Sequence, residues 1–293
     1  MTPAPSVAAR LAFPAMLTGS ACLAFGPWLV RIADVAPVAS AFWRLGLAIV
    51  PLALLARAVG GTVERPSRGA LAAIALAGVF FAADLALWHL GIGRTTLANA
   101  TLMGNSASFL LPAYGFAVAR AWPGRMAGVA LVLAAAGIAL LLGRSADVSA
   151  TNLTGDLLCV GAGVAYAGYF IALDRARASV APLLILALAT LAGAVALLPL
   201  AAAGGAFWPH DWTPLVLLAL GSQVVGQGLI VFAVGYLPPL VIGLTLLIQP
   251  AISATIGALR FGETVGPAEA AGMALVAAAL VLVRVPSRRL AAA

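Results

Sequence analysis

The chain has 293 residues, 63% of them hydrophobic and only 9% charged, with a mean hydropathy of +1.11. A soluble domain is about 45–50% apolar and about 25% charged, so no soluble fold could bury this much apolar surface. The formal charge of +7 comes from arginine alone, without one lysine; the arginines stand singly between apolar runs, a topology pattern and not a nucleic-acid surface.

A bilayer core about 30 Å thick takes about 20 helical residues. Breaks at Arg, Asp, Pro and Gly predict ten spans, at 11–31, 36–57, 69–92, 95–119, 125–143, 153–173, 180–203, 213–235, 239–260 and 266–284. Such long runs exclude an outer-membrane barrel, whose short strands alternate. The first span is full length, unlike the shorter apolar core of a cleaved signal peptide. The run from Asp211 to Arg260 carries no charge for 48 residues, so it must hold two helices. "YLPP" (Tyr236 to Pro239) marks the break, because proline removes a donor and disfavours helix just before itself. Cys22 and Cys159 lie in separate apolar runs and read as buried thiols.

Orientation follows from arginine placement. With the N-terminus inside, inner segments hold Arg10, Arg57, Arg65, Arg68, Arg120, Arg125, Arg175, Arg177, Arg284, Arg288 and Arg289. Outer segments hold only Arg31, Arg94, Arg144 and Arg260. The positive-inside rule places both termini in the cytoplasm, with the chain in the inner membrane.

An internal repeat divides the chain. "AGVALVLAA" (127–135) and "AGMALVAAA" (271–279) agree at seven of nine positions, 144 residues apart. Gly91 and Gly235 share that offset, and Gly26 and Gly168 are 142 apart. The division predicts repeats over 1–147 and 148–293, five spans each. Five is odd, so the second half must start from the opposite side. Such inverted repeats are a recurring plan of secondary transporters.

"LWHLGIGRTTLANATLMGNSASF" (87–109) and "IQPAISATIGALRFGETVGPAEAAG" (248–272) resemble the EamA branch of the drug/metabolite transporter superfamily. Members close to this type include YddG-like amino-acid exporters. "FGE" (261–263) resembles the family's signature at the end of the ninth helix. The first half departs from the pattern, with Arg120 where the second half has Glu263, and Ser108 near the counterpart of Pro250. The resemblance implies ten helices around a central cavity and export of amino acids or related metabolites.

Depth singles out the candidate site. Asn105, Gln249 and Gln223 each lie ten residues into their spans, counted from Thr95, Pro239 and Thr213. At about 1.5 Å per residue that is the bilayer midplane. Asn105 and Gln249 are also repeat mates. Ser20 and Tyr166 share this depth, and Trp88 is a further candidate for the wall. Midplane amides either bind substrate or bridge helices, the latter worth about 0.6 kcal/mol each. Pro250 and Pro112 are candidate interruptions of the ninth and fourth spans. Asn99, nearer the outer end, is assigned to the outer mouth.

Arg44 and Asp84 are read as the charges well inside spans, at equal depth on consecutive antiparallel helices. They predict a salt bridge, either permanent or functional, with Asp84 carrying a proton or Arg44 drawing a substrate carboxylate. His89 beside Trp88 reads as an interfacial pair or a proton relay. No phosphate-binding loop and no zinc or catalytic set is present in the sequence, so neither enzyme, metal nor cofactor is expected. The expected partners are a small-molecule substrate and the lipid bilayer; nucleosides or purines remain open as substrates, and monomer or homodimer stays undecided.

Overall fold

The computed structural model describes residues 7–59, 66–118, 120, 122, 124–177, 180–234, 236–237, 245–246 and 248–282. Gly235, Pro239 at the expected start of the ninth span, and Arg65, Arg284, Arg288 and Arg289 lie outside them, as do the side chains of Ser108, Pro112 and Arg177. The described residues form helices and no strand.

Prolines and hydroxyl caps set the helix starts. The first span bends between α1 (Val7–Ala24) and α2 (Gly26–Ile32), where Pro27 occupies the first turn. Pro37 opens α3 (Pro37–Gly46), followed by α4 (Ile49–Val59). Ser67 caps α5 (Arg68–Ile92) by accepting from the Ala70 N–H at 3.1 Å. Thr96 caps α6 (Leu97–Gly104) through the Asn99 N–H at 3.2 Å. The fourth span is not one helix: the chain breaks at Asn105 and Ser106 before α7 (Ala107–Val118). Next come α8 (Arg125–Val148), α9 (Ala150–Arg177) and α10 (Pro182–Ala203). The eighth span is α11 (Thr213–Leu217), a π-helical stretch over Leu218–Gly226, and α12 (Gln227–Val234). The chain closes with α13 (Ile248–Phe261) and α14 (Pro267–Leu282).

Among the described residues, seven helical stretches are long and apolar enough to cross a membrane, from Arg10–Ile32 to Thr213–Ala233. The other three expected spans correspond to the broken α6 and α7, to α13, with much of the first part of that expected span (238–244 and 247) outside the described residues, and to the shorter α14. Large apolar side chains face outward along them, such as Leu54, Val132, Val195 and Leu259. In water that surface would be a liability; against lipid it is the favourable arrangement.

Packing is close where glycines meet. A Cβ on Gly19 of α1 would sit 2.9 Å from the carbonyl oxygen of Gly226, so α1 lies directly against the π stretch. A Cβ on Gly137 would sit 2.8 Å from the Gly272 oxygen, which brings α8 and α14 backbone to backbone. Across the molecule α5 packs on α9 and on α10, α1 on α12, α3 on α10, and α6 on α13.

One end is knitted together by polar contacts. The Ala36 N–H donates to the Ala206 oxygen (2.8 Å), and Trp43 Nε1 to the Phe207 oxygen (2.8 Å). Trp43 also packs its ring against Trp208 and Trp212. Asp34 accepts from the His210 N–H (2.7 Å), which holds its carboxyl below the ordinary range.

Candidate functional site

Arg44, near the end of α3, is only 2% exposed. Its Nε donates to Gln223 Oε1 at 3.2 Å, and Gln223 Nε2 donates on to Thr190 Oγ1 at 3.2 Å. Gln223 sits in the π stretch, a distortion that recurs where side chains are re-aimed for function. The Arg44 guanidinium lies 5.8 Å from the Trp88 ring centroid, within cation–π range. Trp88 Nε1 donates to the Ala100 oxygen of α6 at 3.0 Å. Arg44, Trp88, Thr190 and Gln223 thus form one buried constellation drawn from the second, third, seventh and eighth spans.

The expected salt bridge between Arg44 and Asp84 is absent. Asp84 is 8% exposed, and its carboxylate makes no hydrogen bond or ion pair among the described residues. Arg44 Nη1 has no hydrogen-bond partner among the described residues either. Equal depth brings residues to one level, but helix rotation decides contact, and Gln223 takes the place next to Arg44.

His89 packs inside the bundle. It is fully buried, with Nδ1 2.7 Å from Ser40 Oγ, while Nε2 has no partner among the described residues. Tyr166 is half-buried, accepts from Gln227 Nε2 at 3.4 Å and stacks on Tyr169 at 5.6 Å. Ser20 is buried on α1, its Oγ without a partner among the described residues. Asn105 ends α6 as its C-terminal cap and is half-buried. Gln249 is 8% exposed in the first turn of α13. The helices carrying Asn105 and Gln249 pack together, but no hydrogen bond joins those two amides. The cavity of about 190 Å³ between α4 and α10, lined by Ala53, Arg57, Leu184 and Leu188 among others, is apolar and separate from these residues.

Asn99 is not at an open mouth. It is 2% exposed, and its Nδ2 donates to Asp156 Oδ2 at 3.2 Å. Thr95 Oγ1 donates to Asp156 Oδ1 (2.5 Å) and Ser145 Oγ to Oδ2 (2.6 Å). Asp156 is therefore a third charge inside the bundle, in the apolar run "TGDLLCVG" (154–161), which sequence reasoning passed over. A second network joins Thr101 Oγ1 to Ser253 Oγ at 2.9 Å, and Ser253 donates to the Ala24 oxygen at 3.0 Å. In a third, Arg31 pairs with Glu263 and donates to the oxygens of Ile92 (2.7 Å) and Thr95 (2.6 Å). Glu263 Oε2 also accepts from the Leu97 N–H at 2.9 Å.

Apolar helices with lipid-compatible exteriors and polar networks gathered inside define a multi-pass α-helical membrane protein. Residues 153–285 match the EamA-like transporter family, which bears out the resemblance read from the sequence over the second half. The threonine/homoserine exporter RhtA of Escherichia coli K12 is 34% identical over 152 residues, 51% of each chain. RhtA of Salmonella typhimurium strain LT2 is 34% identical over 137 residues, 46% of each. The aligned region thus spans about half the length of these relatives. A solved crystal structure superposes with a TM-score of 0.60 over 95% of this chain and 98% of that one, at 22% identity, a likeness of fold alone.

Proposed function

We propose that the chain is a secondary transporter that exports small metabolites, amino acids foremost, across the cytoplasmic membrane. The observation that carries this reading is the match of residues 153–285 to the EamA-like transporter family, together with relatives described as threonine/homoserine exporters. Transport proceeds by alternating access between two inverted halves, 1–147 and 148–293. Mirrored packing supports the repeat: α5 lies against α9 in the way that α1 lies against α12, and α8 meets α14 across their glycines. The substrate sits at midplane depth, among Arg44, Trp88, Tyr166, Gln223, Asn105 and Gln249. The polar ties among Arg31, Glu263, Thr101, Ser253 and Asp156 support a pathway closed at the end where the odd-numbered spans finish. By the arginine asymmetry that end is outside.

Reconstitution tests this. Purified protein in liposomes, loaded with radiolabelled amino acids or nucleobases, should release amino acids faster than protein-free vesicles. Runs with and without a pH gradient decide between proton coupling and facilitated flow. Release of no solute above the vesicle leak would defeat the reading.

A further inference from the structure

We propose that Arg44 and Asp84 are the two poles of a zwitterion-binding site, Arg44 receiving a carboxylate and Asp84 an ammonium group. The proposal rests on the transport reading and names the charge chemistry of its substrate. Arg44 is 98% withdrawn from solvent, yet its Nη1 has no hydrogen-bond partner among the described residues. Its Nε meets only a neutral amide, Gln223 Oε1. Asp84 is buried as well and bonds to nothing among the described residues. Charges buried in a bundle are ordinarily paired, because hydrocarbon offers no compensation. Here two opposite charges both neighbour Trp88, Arg44 over its ring and Asp84 one turn away on the same helix, and remain unpaired.

The two charges share one face of α5. Asp84 and Trp88 stand four residues apart on α5, hence on one face about 6 Å apart. The Arg44 guanidinium lies over the Trp88 ring. Asp84 and Arg44 therefore flank one position above the same face of α5. The Tyr166 ring of α9, 6.4 Å from the Phe81 ring of α5, offers an aromatic wall. An anion placed there would satisfy Arg44 and be repelled by Asp84, and a cation would do the reverse. A neutral solute would leave both charges uncompensated. A molecule with both charged groups on one carbon, as in an α-amino acid, completes both at once.

The test uses the full-length protein in detergent. Binding of each standard L-amino acid is measured by calorimetry, and the tightest is compared with its own methyl ester and N-acetyl derivative. The zwitterion should bind about tenfold tighter or more than either derivative. No binding by any amino acid, or equal binding of a derivative, overturns the proposal. Arg44→Gln should abolish discrimination against the ester, and Asp84→Asn should abolish discrimination against the N-acetyl compound. Each ratio is taken within one variant, so a general loss of folded protein does not imitate it. Unchanged ratios in both variants also overturn the proposal. The transport reading fails separately: vesicles that release nothing while these ratios hold would refute export and leave the zwitterion site standing. Release of ester and amino acid at equal rates would do the opposite.

Discussion

Arg31 and Glu263, 232 residues apart, form an ion pair that ties the end of α2 to the turn between α13 and α14. Both are mostly buried, at 18% and 14% exposure, and each also holds backbone of the third-to-fourth connection. The pair therefore joins three connections at one end of the molecule. Gly262, with φ of +64°, turns the chain so that Glu263 points back toward them.

Glu263→Ala should destabilise the protein by about 2 kcal/mol, since it strands the Arg31 charge and the Leu97 N–H. Glu263→Gln keeps an acceptor and should lose less. Thermal unfolding in detergent measures both. Melting curves that coincide with the wild type would show that the pair contributes nothing. If this end opens during transport, a cysteine placed at Thr101 should also label faster from outside in Glu263→Ala.

Asp156 gathers three hydrogen-bond donors in a buried setting. Asp156→Ala leaves Thr95, Asn99 and Ser145 without their acceptor and should cost about 3 kcal/mol. Asp156→Asn retains an oxygen and should fall between. Equal melting temperatures for alanine variant and wild type would refute a structural role for the cluster.

The contact of α8 with α14 depends on missing side chains. Gly137→Leu places a Cβ within 2.7 Å of Val276 Cγ2 and should destabilise by about 1–3 kcal/mol. Gly128→Leu on the same helix meets nothing within 4 Å and serves as the control. The two variants melting together would disprove the close approach.

Arginine asymmetry predicts that both termini are cytoplasmic. A C-terminal reporter active only outside the cytoplasm should be silent. Strong activity would invert the whole orientation, including the side on which Arg31 and Glu263 lie.

Asn105→Ala and Gln249→Ala should each lower transport several-fold with little change in melting temperature. Neither side chain contributes a hydrogen bond to the fold among the described residues, so little stability is at stake. Normal flux in both variants would move the site elsewhere, with the Arg44 constellation as the remaining candidate.

Membrane spans are readable from residue order because hydrocarbon imposes one rule on every position: about 20 apolar residues with internal hydrogen bonding. The all-helical class, the arginine asymmetry and the Glu263 motif follow from that linear information. Depth along a span is linear too, which is why Gln223 and Arg44 could be selected before their contacts were known. Contact is not linear. It depends on how each helix is rotated and bent, and those are set by packing against neighbours. Rotation parts Arg44 from Asp84 and joins it to Gln223. The break at Asn105 and Ser106 and the π stretch around Gln223 come from tertiary accommodation, since Pro112 lies six residues beyond the break and no proline falls within 218–226. Asn99 and Asp156 meet across 57 residues, and Arg31 and Glu263 across 232. No local pattern encodes such pairs, because the cost of burying each polar group is settled only where the folded helices bring its partner.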